Sequence, residues 1–320
     1  MKYILNKKLL IPGVLFICAA SLFISGIHYS NIIIFPERHN LSDIPQDWEI
    51  SNNKPEDYNL EYENVSFFTT DNIILRGWYI PGGKDNHSAV LLAHGYGTNR
   101  VKVLKYAPFL QQAGYNVLLF DFRGHGESEG RYCSIGYHER NDIHAAVKYL
   151  KAVKKMDKIG VLADSMGAVA SILAMAENND IDAGVFEGAF SSLKELLIYR
   201  GETDYSLSRY PLTELAIWLT EYRLKYDIAK VRPVDVVQRI APRAVFFIHG
   251  DKDREVLPED SKALYSRASQ PKEFWMVSNM AHTSAFSIHP AEFNRRILAF
   301  FNQYINWERY TADGFLKDKN

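Results

Sequence analysis

The sequence predicts an α/β fold: a mostly parallel sheet with helices on both faces. Three observations lead there. Short apolar runs of strand length alternate along the chain with longer runs that carry apolar residues at helical spacing. Glycine-rich turns follow directly on two of those strands, at His94-Gly95-Tyr96-Gly97 and Gly124-His125-Gly126. The composition is globular, with 47% hydrophobic and 23% charged residues, which excludes a disordered, collagen-like or coiled-coil chain. Strands alternating with helices imply right-handed βαβ units and parallel pairing. A chain of 320 residues has room for one large domain of this kind after an N-terminal apolar stretch.

That stretch comes first. Lys2, Lys7 and Lys8 precede an uncharged run from Leu9 to Pro36, whose most apolar part, 9–27, has 19 residues. A spanning helix needs about 20 apolar residues, whereas a secretory h-region has only ~7–15. Residues 1–36 therefore read as a membrane anchor. Cleavage after Ala20, with Cys18 at the required spacing, would instead make a secreted protein. A lipoprotein box is excluded by Ile17, too large for the place before Cys18. Lysines before the run and Glu37, Asp43 and Asp47 after it put the N-terminus in the cytoplasm and the remaining chain on the far side. Residues 37–59 are polar, follow Pro36, contain Pro45 and Pro55, and read as a tether.

The remainder, 60–306, is ordered as follows. A hairpin is expected over 62–68 and 73–80, around Thr69-Thr70-Asp71-Asn72, adding antiparallel edge strands. A strand at 89–93 is followed by a helix at 103–112, stopped by Gly114. The next strand is 115–120. Ile143, Val147 and Leu150 mark a helix over 141–153. A strand at 159–163 runs straight into Ser165 and a small-residue helix, 168–176. Further strands are expected at 184–186, 244–248 and 273–277. The last helix, 291–305, carries Phe293, Ile297, Phe301 and Tyr304 on one face. Residues 190–240 break this rhythm; they are long, tyrosine-rich and mostly helical. They read either as a surface helix pair or as a cap over the C-terminal ends of the strands. Residues 307–320 form a polar tail.

Charge and cysteine content exclude other classes. Lys+Arg is 37 and Asp+Glu is 38, a formal net charge of -1, so no clustered positive charge argues for nucleic acid. Cys18 and Cys133 can build neither a disulfide framework nor a Cys₄ zinc site. Gly124-x-Gly126 lacks the further glycine of a dinucleotide site, and His138-Glu139 lacks a histidine at the metalloprotease spacing. No metal and no cofactor is expected.

The chemistry concentrates in three turns. Ile159-Gly160-Val161-Leu162-Ala163-Asp164-Ser165-Met166-Gly167 is a strand, a sharp turn with serine at its apex, and a helix. That geometry exposes a serine at the top of a sheet, and small residues two before and two after let strand and helix approach. Ala163 stands where glycine is usual; Gly167 keeps the second glycine. An acid after a later strand and a histidine after the last one complete the pattern Ser, Asp, His. Phe246-Phe247-Ile248-His249-Gly250-Asp251-Lys252-Asp253 offers Asp253, with Asp251 as a competitor. Trp275-Met276-Val277-Ser278-Asn279-Met280-Ala281-His282 offers His282, with His289 the nearest rival. A serine needs a base to become a nucleophile. His282 would supply it, Asp253 would orient the imidazole, and the backbone N–H groups of Met166 and Tyr96 would hold the oxyanion. Asp164, beside the serine, reads as structural or as tuning the site.

Together, His94-Gly95-Tyr96-Gly97 with Arg100, Asp121-Phe122-Arg123-Gly124-His125-Gly126-Glu127-Ser128, the serine elbow, His249-Gly250-x-x-Asp253 and His282 resemble the α/β-hydrolase superfamily. The match is nearest to its serine aminopeptidase-like and Bem46-like branch. This resemblance implies the eight-stranded α/β-hydrolase fold with a small helical cap, the Ser165–Asp253–His282 triad, and the Tyr96/Met166 oxyanion hole. His94, Gly95, Gly97 and Gly167 support those motifs. The expected activity is a membrane-tethered serine hydrolase cleaving an ester, thioester or amide of a small-molecule acyl substrate, with esterase favoured. A peptidase, a phospholipid acyl hydrolase and a non-catalytic binding protein of the same fold are the alternatives. The oligomeric state is left open.

Overall fold

The computed structural model describes residues 7–305, apart from 49, 51, 84 and 85. The expected tail at 307–320 and the Lys2 end of the anchor lie outside the described residues. The hairpin forms as β1 (Glu63–Phe68) and β2 (Ile74–Ile80). The sheet continues with β3 (Ser88–Ala93), β4 (Asn116–Phe120), β5 (Lys158–Asp164), β6 (Ala183–Glu187), β7 (Ala244–Gly250) and β8 (Lys272–Val277). Their order is β1-β2-β4-β3-β5-β6-β7-β8. β2 runs antiparallel to β4, and every pair from β4 through β8 is parallel. Chain order reverses between β3 and β5. In open α/β sheets, the crevice outside such a switch point is where ligands bind.

The central strands are buried on both faces, yet alternation still sorts them. Ala89, Leu91 and Ala93 of β3 join one core layer, while Val90 and Leu92 join the other. The first layer is covered by α4 (Glu139–Ala152), α5 (Met166–Glu177) and α8 (Pro258–Arg267). The second is covered by α2 (Arg100–Leu104), α3 (Ala107–Gln112) and α10 (Pro290–Tyr304), whose Phe293, Ile297 and Phe301 are fully buried.

Two details differ from the sequence expectation. The single helix expected over 103–112 is broken, because Tyr106 turns its ring fully into the core and stacks on Phe293 at 5.2 Å. Pro108 then sits in the first turn of α3, where its missing N–H costs nothing. α8 was not expected. Its signals are present: Pro258 at the start, Glu259 and Asp260 in the first turn, Arg267 in the last.

Between β6 and β7 lie α6 (Leu193–Tyr205), the kinked segment Arg209–Thr213 and α7 (Glu214–Leu224). Leu196, Leu197 and Arg200 of α6 form wall over the strand ends, the geometry of a cap rather than a detached helix pair.

The N-terminal segment is one helix, α1 (Lys7–Ile34), long and apolar enough to cross a bilayer by length and composition. Its two ends behave differently. Ile11, Leu15, Phe16, Ile17 and Ile24 are exposed, whereas Tyr29, Ser30, Ile33 and Ile34 are buried against the cap and the sheet. Ser30 hydrogen-bonds Thr220, Arg223 donates to Ser30, and the Tyr29 hydroxyl donates to the Leu197 carbonyl. The stretch 37–59 does not hang free as a tether. Arg38 donates to Gly126 O, Asn99 to His39 O, and Lys102 to Trp48 O. Trp48 is buried. Trp48 within the polar stretch and Leu60 directly after it give it apolar anchors, which outweigh its overall polarity.

Candidate active site

Ser165 sits between β5 and α5 at φ 50° and ψ −115°, a conformation non-glycine residues rarely adopt. Its N–H is held by Glu187 O at 2.8 Å. The helix must start at once, so strand and helix crowd together. A Cβ at Gly167 would lie 2.5 Å from His94 O and 2.6 Å from Ala93 O. Ala163 lies buried in β5 without loss of the turn, so its extra methyl is accommodated.

His282 and Asp253 come together at 2.6 Å, Nδ1 to Oδ2. Asp253 is thoroughly held. Its Oδ1 accepts the N–H groups of Glu255 (2.9 Å) and Val256 (3.0 Å), and its Oδ2 also lies 3.2 Å from His249 Nε2. Burial alone would raise this carboxyl, but its bonds from His249 and His282 hold it far below the usual carboxylate range. Burial likewise opposes charging His282, and the Asp253 carboxylate outweighs it, raising the imidazole above its ordinary value. With Asp253 ionised, the ring proton belongs on Nδ1 and Nε2 is left as an acceptor. Asp251 and His289, the competitors in the sequence, are both exposed.

Ser165 and His282 line one cavity of about 670 Å³, together with Tyr96 and Met166. Met166 is the first residue of α5, so its N–H has no intrahelical partner and lies at the positive end of the helix dipole. The loop carrying Tyr96 is fixed by two buried neutral histidines. His94 Nε2 accepts from Phe122 N at 3.0 Å, which leaves its Nδ1–H to donate to Gly95 O. His125 Nε2 accepts from Gly97 N at 3.1 Å, and its Nδ1–H donates to Arg123 O. Burial holds His94 well below its usual pKa and lowers His125 to about 4. Among the described residues, no group of three or more His, Cys, Asp or Glu is placed to hold a metal ion.

Comparison with known proteins agrees with this architecture. The profile of the family described as "Serine aminopeptidase, S33" matches residues 84–224. Protein bem46 of Schizosaccharomyces pombe is 26% identical over 255 residues, 77% of each chain. The uncharacterised YqkD of Bacillus subtilis is 27% identical over 87% of this chain and 92% of its own. An uncharacterised protein of Mycobacterium tuberculosis is 30% identical, with 67% of this chain and 70% of that one covered. Among solved structures, the esterase Pf2001 of Pyrococcus furiosus superposes with a TM-score of 0.68 at 28% identity, over 85% of this chain and all of that one. The chain belongs to the α/β-hydrolase superfamily, in its Bem46-like branch.

Three features of this α/β-hydrolase site were not legible in advance. The cavity is walled partly by the N-terminal helix, through Tyr29, Ile32 and Ile33. Tyr96 reinforces that link, since its hydroxyl donates to Ile32 O at 2.7 Å. The only hint was polar chemistry, Tyr29-Ser30-Asn31, inside an otherwise apolar run. The second feature is Glu187, at the end of β6 beside Asp164. Its Oε1 accepts Ala285 N at 2.9 Å, three residues beyond His282. Burial first, then the charge of Asp164, raises Glu187 to about 7. The third is His125, part of the glycine-rich motif, whose bond to Gly97 could not be read from spacing.

Proposed function

We propose that this α/β-hydrolase is a serine esterase working through an acyl-enzyme. Ser165 attacks the acyl carbonyl while His282 takes its proton. The Asp253 carboxylate holds the imidazole and stabilises the imidazolium. The N–H groups of Met166 and Tyr96 receive the oxyanion. His282 then protonates the leaving alcohol, and water repeats the cycle on the acyl-serine. The observation that carries the reading is the 2.6 Å His282–Asp253 bond, in the same cavity as a serine held at a strained strand-to-helix apex.

An ester is favoured over a peptide by the cavity wall. Ile32, Ile33, Phe190, Leu197 and Val256 offer an apolar surface for an acyl chain. Of the acids lining the cavity that could receive a free peptide amine, Asp204 and Glu255 are both paired with Arg200, which leaves the exposed Glu37 at the rim. The name of the matching family and the esterase Pf2001 point to the two chemistries in turn, so both belong in the test. The apolar helix α1 would serve as the anchor, with the hydrolase domain extracytoplasmic. The test is labelling by a fluorophosphonate probe together with turnover of p-nitrophenyl butyrate and leucine p-nitroanilide. Labelling lost in Ser165→Ala, with the ester cleaved faster, supports the reading. An unlabelled wild-type protein would mean a non-catalytic fold; faster anilide cleavage would mean a peptidase.

A further inference from the structure

We propose that the rim of the cap rests in the headgroup layer of a phospholipid bilayer, and that the cavity receives its acyl ester from that layer. The proposal rests on the anchor and esterase readings above.

The argument begins with length. From Lys8 to Ile27 a helix advances about 30 Å at ~1.5 Å per residue, the thickness of a hydrocarbon core. Over that span Phe16, Ile17 and Ile24 are 76%, 66% and 66% exposed. They have no protein cover, and an uncharged helix behind two lysines suits lipid. Protein cover begins just before the span ends. At Gly26 the Leu215 side chain packs so close that an added Cβ would lie 2.9 Å from it. One turn later Tyr29 lines the catalytic cavity, followed by Ile32 and Ile33. The cavity wall therefore starts two residues past Ile27, roughly 3 Å above the hydrocarbon. The headgroup layer is about 5–7 Å deep on each side.

The cap packs on α1 side by side and in the same direction. Gly26 meets Leu215, Ser30 meets Thr220, and Arg223 lies over Phe35. The start of α7 and the kink before it thus point toward the bilayer. That end displays Tyr210, 68% exposed under the Arg209 guanidinium at 5.6 Å, with Pro211 exposed and Leu212 half-buried. Further along α7, Trp218 and Tyr222 stack at 6.0 Å, both exposed. Aromatic rings with adjoining cations are the composition of a membrane interface. An ester held at that depth can pass its acyl chain along Tyr29 and Ile33 into the cavity without crossing water.

The test uses the full chain in phosphatidylcholine–phosphatidylglycerol vesicles. A nitroxide is attached at Tyr210→Cys in a Cys18→Ser background; Cys133 is buried. The control is Lys148→Cys, exposed on α4 toward the opposite end of the sheet. Electron paramagnetic resonance compares collisions with oxygen and with a water-soluble nickel chelate. At position 210 we expect the oxygen-to-nickel ratio to exceed that at 148 at least threefold. Equal ratios overturn the proposal, and so does exclusion of both reagents, which would mean that protein covers the rim. Turnover is the second arm. Tyr210→Asp/Leu212→Asp should slow hydrolysis of monooleoylglycerol embedded in the vesicles at least tenfold, and leave p-nitrophenyl butyrate within twofold of wild type. Equal loss on both substrates overturns delivery from the layer. A wild-type protein inert toward both esters sinks the esterase reading instead, while the nitroxide result still decides the docking.

Discussion

At the scale of residues, His282 carries a pH signature. In the proposed mechanism its imidazole must be neutral to accept the serine proton, and Asp253 raises its pKa above the ordinary 6.5. Activity should therefore rise with pH through a limb above 6.5. Asp253→Asn should lower that limb and cut kcat by about 10⁴, as for a serine-protease triad acid. Asp251→Asn should leave kcat nearly unchanged, because Asp251 is exposed. A pH–rate series on both folded variants checks this; greater damage from Asp251→Asn would reverse the assignment. Glu187 gives the second residue-scale test. As a positioning residue it holds Ala285 N–H behind His282, and burial raises its pKa to about 7, so near neutrality it is partly protonated. Glu187→Gln retains an oxygen acceptor and should keep kcat within about threefold. Glu187→Ala leaves a buried N–H unpaired, a cost of about 1–3 kcal/mol, and should reduce kcat 10- to 100-fold with KM little changed. Equal activity of the alanine variant would remove this role. The strand-end positions of Ser165, Asp253 and His282 were legible because each follows an apolar strand. Glu187 was not, because a carboxylate ending a strand gives no sign of which loop it will hold.

At the scale of elements, the loop after β3 depends on buried neutral histidines. His125 is lowered to about 4 by burial, against about 6.5 when unfolded. Between those values the folded state binds fewer protons than the unfolded state, so this group withdraws stability as pH falls from 6.5 toward 4. At pH 5 the loss is about 2 kcal/mol. Glu187 and Asp142, raised by burial to about 7, push the other way over much of this range. The informative measurement is thus a difference. His125→Asn should be less stable than wild type at pH 7 in urea unfolding, and that gap should shrink by pH 5. A constant gap would mean that the ring is not held neutral. Strand positions were readable to within a residue or two, since buried parallel strands are apolar throughout and bounded by glycines. Helices were less so. The break at Tyr106 follows from where one ring finds its partner, and α8 has little apolar periodicity beyond Leu264 and its neighbours.

At the scale of the molecule, the boundary drawn from hydropathy does not coincide with the boundary drawn by packing. An apolar run looks the same in sequence whether its neighbours are lipid or protein. Here α1 is exposed at one end and built into the wall of the Ser165–His282 cavity at the other. Removing residues 1–36 would strip Tyr29, Ile33 and Ile34 from the core. At roughly 1.5–3 kcal/mol for each buried large apolar side chain, this approaches a domain's whole margin of about 5–15 kcal/mol. A chain starting at residue 37 should therefore melt at least 10 °C below one starting at residue 21, which retains all three. Thermal unfolding followed by circular dichroism checks this, and equal melting temperatures would show that the helix end adds nothing. Cleavage after Ala20 would spare the cavity wall, so stability does not decide between anchor and signal. Topology does bear on the proposed anchor. Lys7 and Lys8 before the run and Glu37 and Asp43 after it favour N-in, C-out. The whole sheet and cap follow α1 without another helix of spanning length among the described residues, so with α1 as the proposed anchor they would share one side. Alkaline phosphatase fused after Asn320, active only when exported, should be active, and a cytoplasm-dependent reporter at the same place silent. The reverse pattern would put the cavity on the cytoplasmic face and the ester supply in the inner leaflet.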